Sequence, residues 1–263
     1  MESIALINRK GGVGKTVSTV NIAACLDREY KKKVLVIDCD EQRDSTKYLT
    51  SFLPESPEHD ITSYISGELK LKDVALPVFE ETAGRTVNTK MYVVPGNPEF
   101  ELTEFKDPEI FKSLLSEAEE MGFDYVLFDC PPHISTPALI CLNAVKYVLV
   151  VASSDVNSLD GYGKLLDTIR DIRTTVNIDI KVLGVFFNHM RTRESVHHWM
   201  FENNLENLGD MVFKNYIRSS SVVEQAQVFG RPVAYYRQSA DVYGDYKKLV
   251  KELMNRIRKD HGA

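Results

Sequence analysis

Eight residues near the amino terminus, Arg9-Lys10-Gly11-Gly12-Val13-Gly14-Lys15-Thr16, leave this chain few folds to choose from. An apolar, strand-like run over 3–8 precedes them and a helical pattern over 15–30 follows. Glycines at such a junction let consecutive backbone N–H groups turn toward one anion, and the helix N-terminus adds the positive end of its dipole. The spacing therefore predicts a phosphate cradle running from Lys10 through Gly11, Gly12, Val13 and Gly14 to Val17. In it Lys15 would reach the β- and γ-phosphates of ATP, and the Thr16 hydroxyl would complete the coordination of Mg²⁺.

The rest of the chain supplies a frame for such a loop. Short apolar runs at 34–38, 91–95, 125–129, 147–152 and 181–188 read as strands. Helix-like segments at 107–120, 159–173 and 194–204 lie between them, and a terminal helix starts near Val242. Near-continuous apolar strands separated by amphipathic helices predict an α/β fold, a mostly parallel twisted sheet with helices on both faces. One P-loop domain over 1–263 is expected, and the weakly periodic stretch 51–90 is expected to be irregular. At 43% hydrophobic and 27% charged residues, the composition suits one sizeable core. The apolar runs are strand-sized, too short to span a bilayer, and Met1-Glu2-Ser3 leads into the first strand without a signal peptide. Cys25, Cys39, Cys130 and Cys141 form no C-x-x-C pair and read as buried thiols.

Carboxylates at the carboxyl ends of parallel strands face the ligand crevice, and two runs end that way. Val34-Leu35-Val36-Ile37-Asp38 continues into Cys39-Asp40-Glu41-Gln42, and Tyr125-Val126-Leu127-Phe128-Asp129 into Cys130-Pro131-Pro132. The common P-loop signature places glycine where Arg9 stands. With Lys10, Gly11, Gly12, Lys15 and Thr16 in its place, the loop resembles the deviant Walker A family of ParA and MinD ATPases. The resemblance spans nearly the whole chain, including Gly230, Pro232 and Val233. It implies a nucleotide-sandwich homodimer formed with ATP, in which Lys10 reaches the partner's phosphates, and a catalytic set of Lys10, Lys15 and Asp40. It further implies that Asp40 orients the attacking water, and that Asp38 and Asp129 serve Mg²⁺ alongside Thr16. Asn188 would contact the base. Glu41 and Arg43 depart from the proline and glycine usual in that family, and Ser153-Ser154 from its prolines. Leu159, Gly161, Leu165 and Leu166 fit its next helix.

The C-terminal third separates the family's branches. Residues 181–263 hold 13 Lys/Arg against 9 Asp/Glu, whereas 1–180 hold 19 against 29, a weak pointer to an anionic partner. With the loop so near Met1, the resemblance is to the short ParA/Soj type. That type implies an ATPase positioning plasmid or chromosome cargo in the cytoplasm, on the nucleoid, with a centromere-binding ParB-like adaptor. It also implies non-specific DNA binding, for which Arg218, Arg231, Arg237, Lys247, Lys248 and Lys251 are the candidates. A MinD-like membrane-associated ATPase and a ParA-like positioner of another cargo are the alternatives. Tyr246, Leu249, Val250, Leu253, Met254 and Ile257 form an apolar stripe suited to a membrane or to the core. Packing on the core is the expectation, because little chain follows the stripe.

Overall fold

Strands built almost wholly of apolar residues, such as Val34–Asp38, Tyr125–Asp129 and Tyr147–Ser153, cannot leave either face in water, and here both of their faces are covered. The computed structural model describes all residues except 9, 52, 54–55, 83–84, 133–134, 154–166, 168–169, 171–173, 175–178, 193 and 263. The helix expected over 159–173, with Leu159, Gly161, Leu165 and Leu166, therefore lies largely outside the described residues, as does Ser154.

Seven strands form one sheet in the order β3-β4-β2-β5-β1-β6-β7. They are β1 (Glu2–Ile7), β2 (Val34–Asp38), β3 (Leu76–Thr82), β4 (Arg85–Val94), β5 (Tyr125–Asp129), β6 (Tyr147–Ser153) and β7 (Lys181–Asn188). All neighbours pair parallel except β3, which runs antiparallel to β4. On one face lie α1 (Lys15–Tyr30) and the long terminal α10 (Asp241–His261), whose Tyr246, Leu249, Val250, Leu253 and Ile257 are buried against α1 and the sheet. The apolar stripe of the last helix is thus spent on the core. Burying each such side chain contributes about 1.5–3 kcal/mol. On the other face α5 (Ile110–Glu120) and α6 (Thr136–Ala144) close over β2 and β5, with Phe111 edge-on to Phe128 at 5.6 Å between ring centroids. No helix among the described residues is long and apolar enough to cross a membrane.

The stretch 51–90 is less irregular than the sequence suggests: residues 56–60 lie outside any helix or strand, but regular elements follow. It folds into α3 (Ile61–Ile65), α4 (Leu71–Val74), β3 and most of β4. The hairpin hides from a periodicity reading because it forms the edge of the sheet. Only Met91–Val94 pairs with the interior strand β2 and is correspondingly apolar. Pro77 sits at the irregularity in the β3–β4 register, where a missing N–H is tolerated.

The remaining helices are α2 (Asp44–Thr50), α7 (Ser195–Leu208), α8 (Ser221–Val228) and α9 (Val233–Tyr236). The central β1 has β5 on one side and β6 on the other, so the chain reverses direction across the sheet there. Crevices at the carboxyl ends of strands form at such a switch point, and the glycine loop leaves β1 at this spot.

Candidate functional site

The loop between β1 and α1 is shaped by two left-handed glycines, Gly12 (φ +75°) and Gly14 (φ +86°). Gly14 is also the residue that opens α1. A β carbon on Gly11 or Gly12 would project into open space, whereas one on Gly14 would collide with the Asn188 amide. The base of the loop is pinned on both sides. Asn8 donates its side-chain amide to the Val151 carbonyl at 2.5 Å and accepts the Lys10 backbone N–H at 2.8 Å. Val13 is buried beneath the loop while the Lys10 side chain is exposed. Lys15 is only 7% exposed. Burial pushes its ammonium pKa down, against the pull of Asp129, Asp40 and Cys130.

Asp38 and Asp129 are register partners at the ends of adjacent strands, both fully buried. Asp38 is saturated by protein donors. Its Oδ2 accepts from the backbone N–H (2.8 Å) and hydroxyl (2.6 Å) of Thr46, and its Oδ1 from the Asp40 N–H (3.2 Å). The Thr46 hydroxyl also accepts the Gly96 N–H at 2.8 Å, and a β carbon on Gly96 would press on Asp38. Asp129 is only half satisfied: Oδ2 accepts the Ser45 hydroxyl at 2.6 Å, and the buried Oδ1 has no partner. Burial raises both carboxyl pKa values. In Asp129 the neighbouring Asp38 charge adds to the rise while Ser45, Thr16 and Lys15 oppose it.

Of the three expected metal residues, then, Asp38 braces α2, whereas Asp129 keeps an open oxygen beside the start of α1. This orphaned oxygen, together with the open face of Gly11 and Gly12, fits a cation held against phosphates. Asp40 is half-buried, and its carboxylate accepts the Gln42 N–H at 2.9 Å in a tight turn leading to α2. Ser45 and Thr46 escaped the sequence reading, since four residues separate them from the Asp38-Cys39-Asp40 run.

Asn188 reaches the loop, but not as an open base contact. Its amide nitrogen donates to the Val13 carbonyl at 3.1 Å and lies 3.4 Å from the Ser18 hydroxyl, and its amide oxygen accepts the His189 N–H at 2.9 Å. Touching a base would require exchanging these bonds. His189 (φ +56°) holds its ring near Gly14 on the same side.

The basic candidates are not gathered on one surface. Arg218 is clamped: its Nε and Nη2 donate to Asp245 at 2.6 and 2.9 Å and its Nη1 to Asp241 at 3.2 Å. It lines a hollow with Arg237 at the start of α10. Lys247 lies over the Tyr243 ring at 5.1 Å, and Arg231 gives its carbonyl to the Tyr48 hydroxyl at 3.2 Å. Lys248 and Lys251 instead line an open groove of about 840 Å³ with Lys181, Lys214, Arg258 and Lys259. That groove lies toward the amino-terminal ends of β6 and β7, away from the glycine loop. All four cysteines are buried and free, with the Cys39 and Cys141 sulfurs 3.5 Å apart.

Comparison with known proteins agrees with this geometry. The family model described as an AAA domain matches residues 1–182. The sporulation initiation inhibitor protein Soj of Bacillus subtilis is 27% identical over 250 residues, covering 94% of this chain and 97% of the relative. Among solved structures, cobyrinic acid a,c-diamide synthase from Mycobacterium smegmatis, with bound ADP and magnesium, superposes with a TM-score of 0.76. It is 21% identical, with 98% of this chain and 95% of that one covered. The cell division ATPase MinD of Pyrococcus furiosus gives 0.74 at 20% identity, with 97% and 98% covered.

Proposed function

Because the chain belongs to the AAA-domain family and is a P-loop ATPase of the ParA/MinD type, we propose that it is a DNA segregation ATPase. In this reading it dimerises on ATP, binds DNA without sequence preference and hydrolyses ATP slowly to position plasmid or chromosome cargo. The observation that carries the proposal is the Lys10-to-Thr16 loop standing beside the half-satisfied Asp129, in a chain similar to Soj over nearly all of both lengths.

Bound magnesium would neutralise phosphate charge as the terminal phosphoryl group departs. The chain's own groups do the holding. Backbone N–H groups of Gly11 to Thr16 turn toward the phosphates, and Lys15, kept from water, directs its ammonium to their terminal end. The open oxygen of Asp129 and the Thr16 hydroxyl face the metal side. Asp40, on its turn, orients water, and the exposed Lys10 reaches into a second copy of the chain.

For DNA we assign the groove holding Lys248 and Lys251 as the principal contact, since these two lysines face solvent whereas Arg218 is occupied. Dimerisation doubles the phosphate contacts, and affinity climbs steeply with their number through counterion release. The cargo adaptor is a ParB-like, centromere-binding protein, and the site of action is the cytoplasm, on the nucleoid. The buried stripe of α10 favours this reading over membrane attachment. The test is duplex-DNA retention at low salt with ATP and with ADP. Wild type should bind only with ATP, and Lys248→Glu/Lys251→Glu should lose retention while still dimerising. Equal binding without nucleotide would overturn the proposal.

A further inference from the structure

Among the described residues four buried side-chain atoms lack a hydrogen-bond partner: Glu2 Oε2, Arg43 Nε, Asp129 Oδ1 and Tyr246 Oη. Two of them, one in the loop after β2 and one at the end of β5, are chemical opposites. Asp129 Oδ1 is an acceptor without a donor, already accounted for by a cation. Arg43 Nε is a cationic donor without an acceptor. Buried donors of this kind are rare and call for a partner outside the chain.

Arg43 carries a second, independent cost. Its backbone is left-handed, φ +56°, a conformation that glycine adopts freely and a long side chain does not. The arginine is thus placed where its backbone disfavours it and its Nε is unmatched. Both features are explained if the guanidinium serves an anion.

The position says which anion. Arg43 lies three residues after Asp40, whose charge acts on the Lys15 ammonium, and two before Ser45, which is bonded to Asp129. The Arg43 N–H itself donates to the Asp40 carbonyl at 2.9 Å, which ties the residue to that turn. Its turn therefore joins the two residues that reach Lys15 and Asp129, the end of the proposed site where the terminal phosphate belongs. A guanidinium fork matches phosphate oxygens in geometry and charge.

We propose that Arg43 is a phosphate-binding residue, supplied in cis, that takes an oxygen of the terminal phosphate of the bound nucleoside triphosphate. The proposal rests on the reading of the glycine loop as the ATP site. It distinguishes triphosphate from diphosphate within one subunit, a task separate from that assigned to Lys10 across a dimer.

Calorimetry on the full chain tests it, with magnesium and either ADP or the non-hydrolysable analogue AMPPNP as probes. Arg43→Gly should weaken AMPPNP about tenfold, the scale of one charge-assisted contact, and leave ADP unchanged. The same variant should melt higher than wild type without nucleotide, because glycine relieves the left-handed backbone. Arg43→Lys, which keeps the charge and loses the fork, should fall between the two. An unchanged ratio of AMPPNP to ADP affinity in Arg43→Gly would overturn the proposal alone, and so would an equal loss of both nucleotides. A Lys15→Ala protein that still binds both nucleotides normally would overturn the underlying site, and this proposal with it.

Discussion

The Asn188 amide nitrogen lies 3.1 Å from the Val13 carbonyl, which ties the end of β7 to the glycine loop 175 residues earlier. This brace leaves no room for a side chain at Gly14, whose left-handed backbone excludes one anyway. Gly14→Ala should therefore push Asn188 off the loop, costing about 1–3 kcal/mol from strain and overpacking. Nucleotide affinity should fall at least about tenfold. Thermal melts and calorimetry read both effects, and a variant that behaves as wild type would remove the brace from the account.

In the proposed site Asp129 governs the response to metal. Chelating magnesium should weaken ATP binding in wild type, whereas Asp129→Asn, lacking the charge that favours the cation, should bind ATP weakly with and without chelator. Titrations with magnesium and with EDTA separate the two. An Asp129→Asn protein with undiminished magnesium dependence would assign the metal elsewhere.

Much of this site was legible in the sequence, and the boundary of legibility has a physical cause. The loop, α1 and the two strand-end carboxylates follow from local pattern: glycines fix the turn, and apolar runs ending in aspartate fix the rest. The pairing of Asp38 with Thr46 and of Asp129 with Ser45 depends on how α2 docks on two strands, which no local period encodes. The β3–β4 hairpin was missed because an edge strand need not be apolar, and the partners of Arg218 lie 23 and 27 residues away on α10, beyond the reach of any local pattern.

Thr46 holds two strand ends together. Thr46→Val should leave one hydrogen bond missing at Asp38 and the Gly96 N–H unpaired, destabilising the fold by about 1–3 kcal/mol. Urea unfolding checks this, and no change in midpoint would mean that the carboxylate finds other donors.

In the proposed mechanism Asp40 and Lys10 divide the dimer from the hydrolysis step. Asp40→Ala should bind ATP and dimerise yet turn over at least about a hundredfold more slowly, the scale of losing a positioned proton acceptor. Lys10→Ala should bind nucleotide without forming a stable dimer. Light scattering and phosphate release distinguish these outcomes, and an Asp40→Ala chain that stays monomeric counts against the sandwich.

Arg218 is a structural cation first. Its partner Asp245 has a side chain only 7% exposed, so Arg218→Ala strands a buried carboxylate. The arginine itself is a third exposed, so the cost is about 1–3 kcal/mol, below that of a fully buried pair. Melting temperature should drop before any effect on DNA is interpretable, whereas Lys248→Glu should leave it within about 0.5 kcal/mol of wild type.

The helix that carries Asp245 also carries Asp260, bonded to Lys181 at the first residue of β7, while Arg218 bridges to Met190 just past its last. A helix of 21 residues is about 30 Å long. Riveted near each end, α10 acts as a strut along the sheet, and β7 cannot slide along its neighbours without straining one rivet or the other.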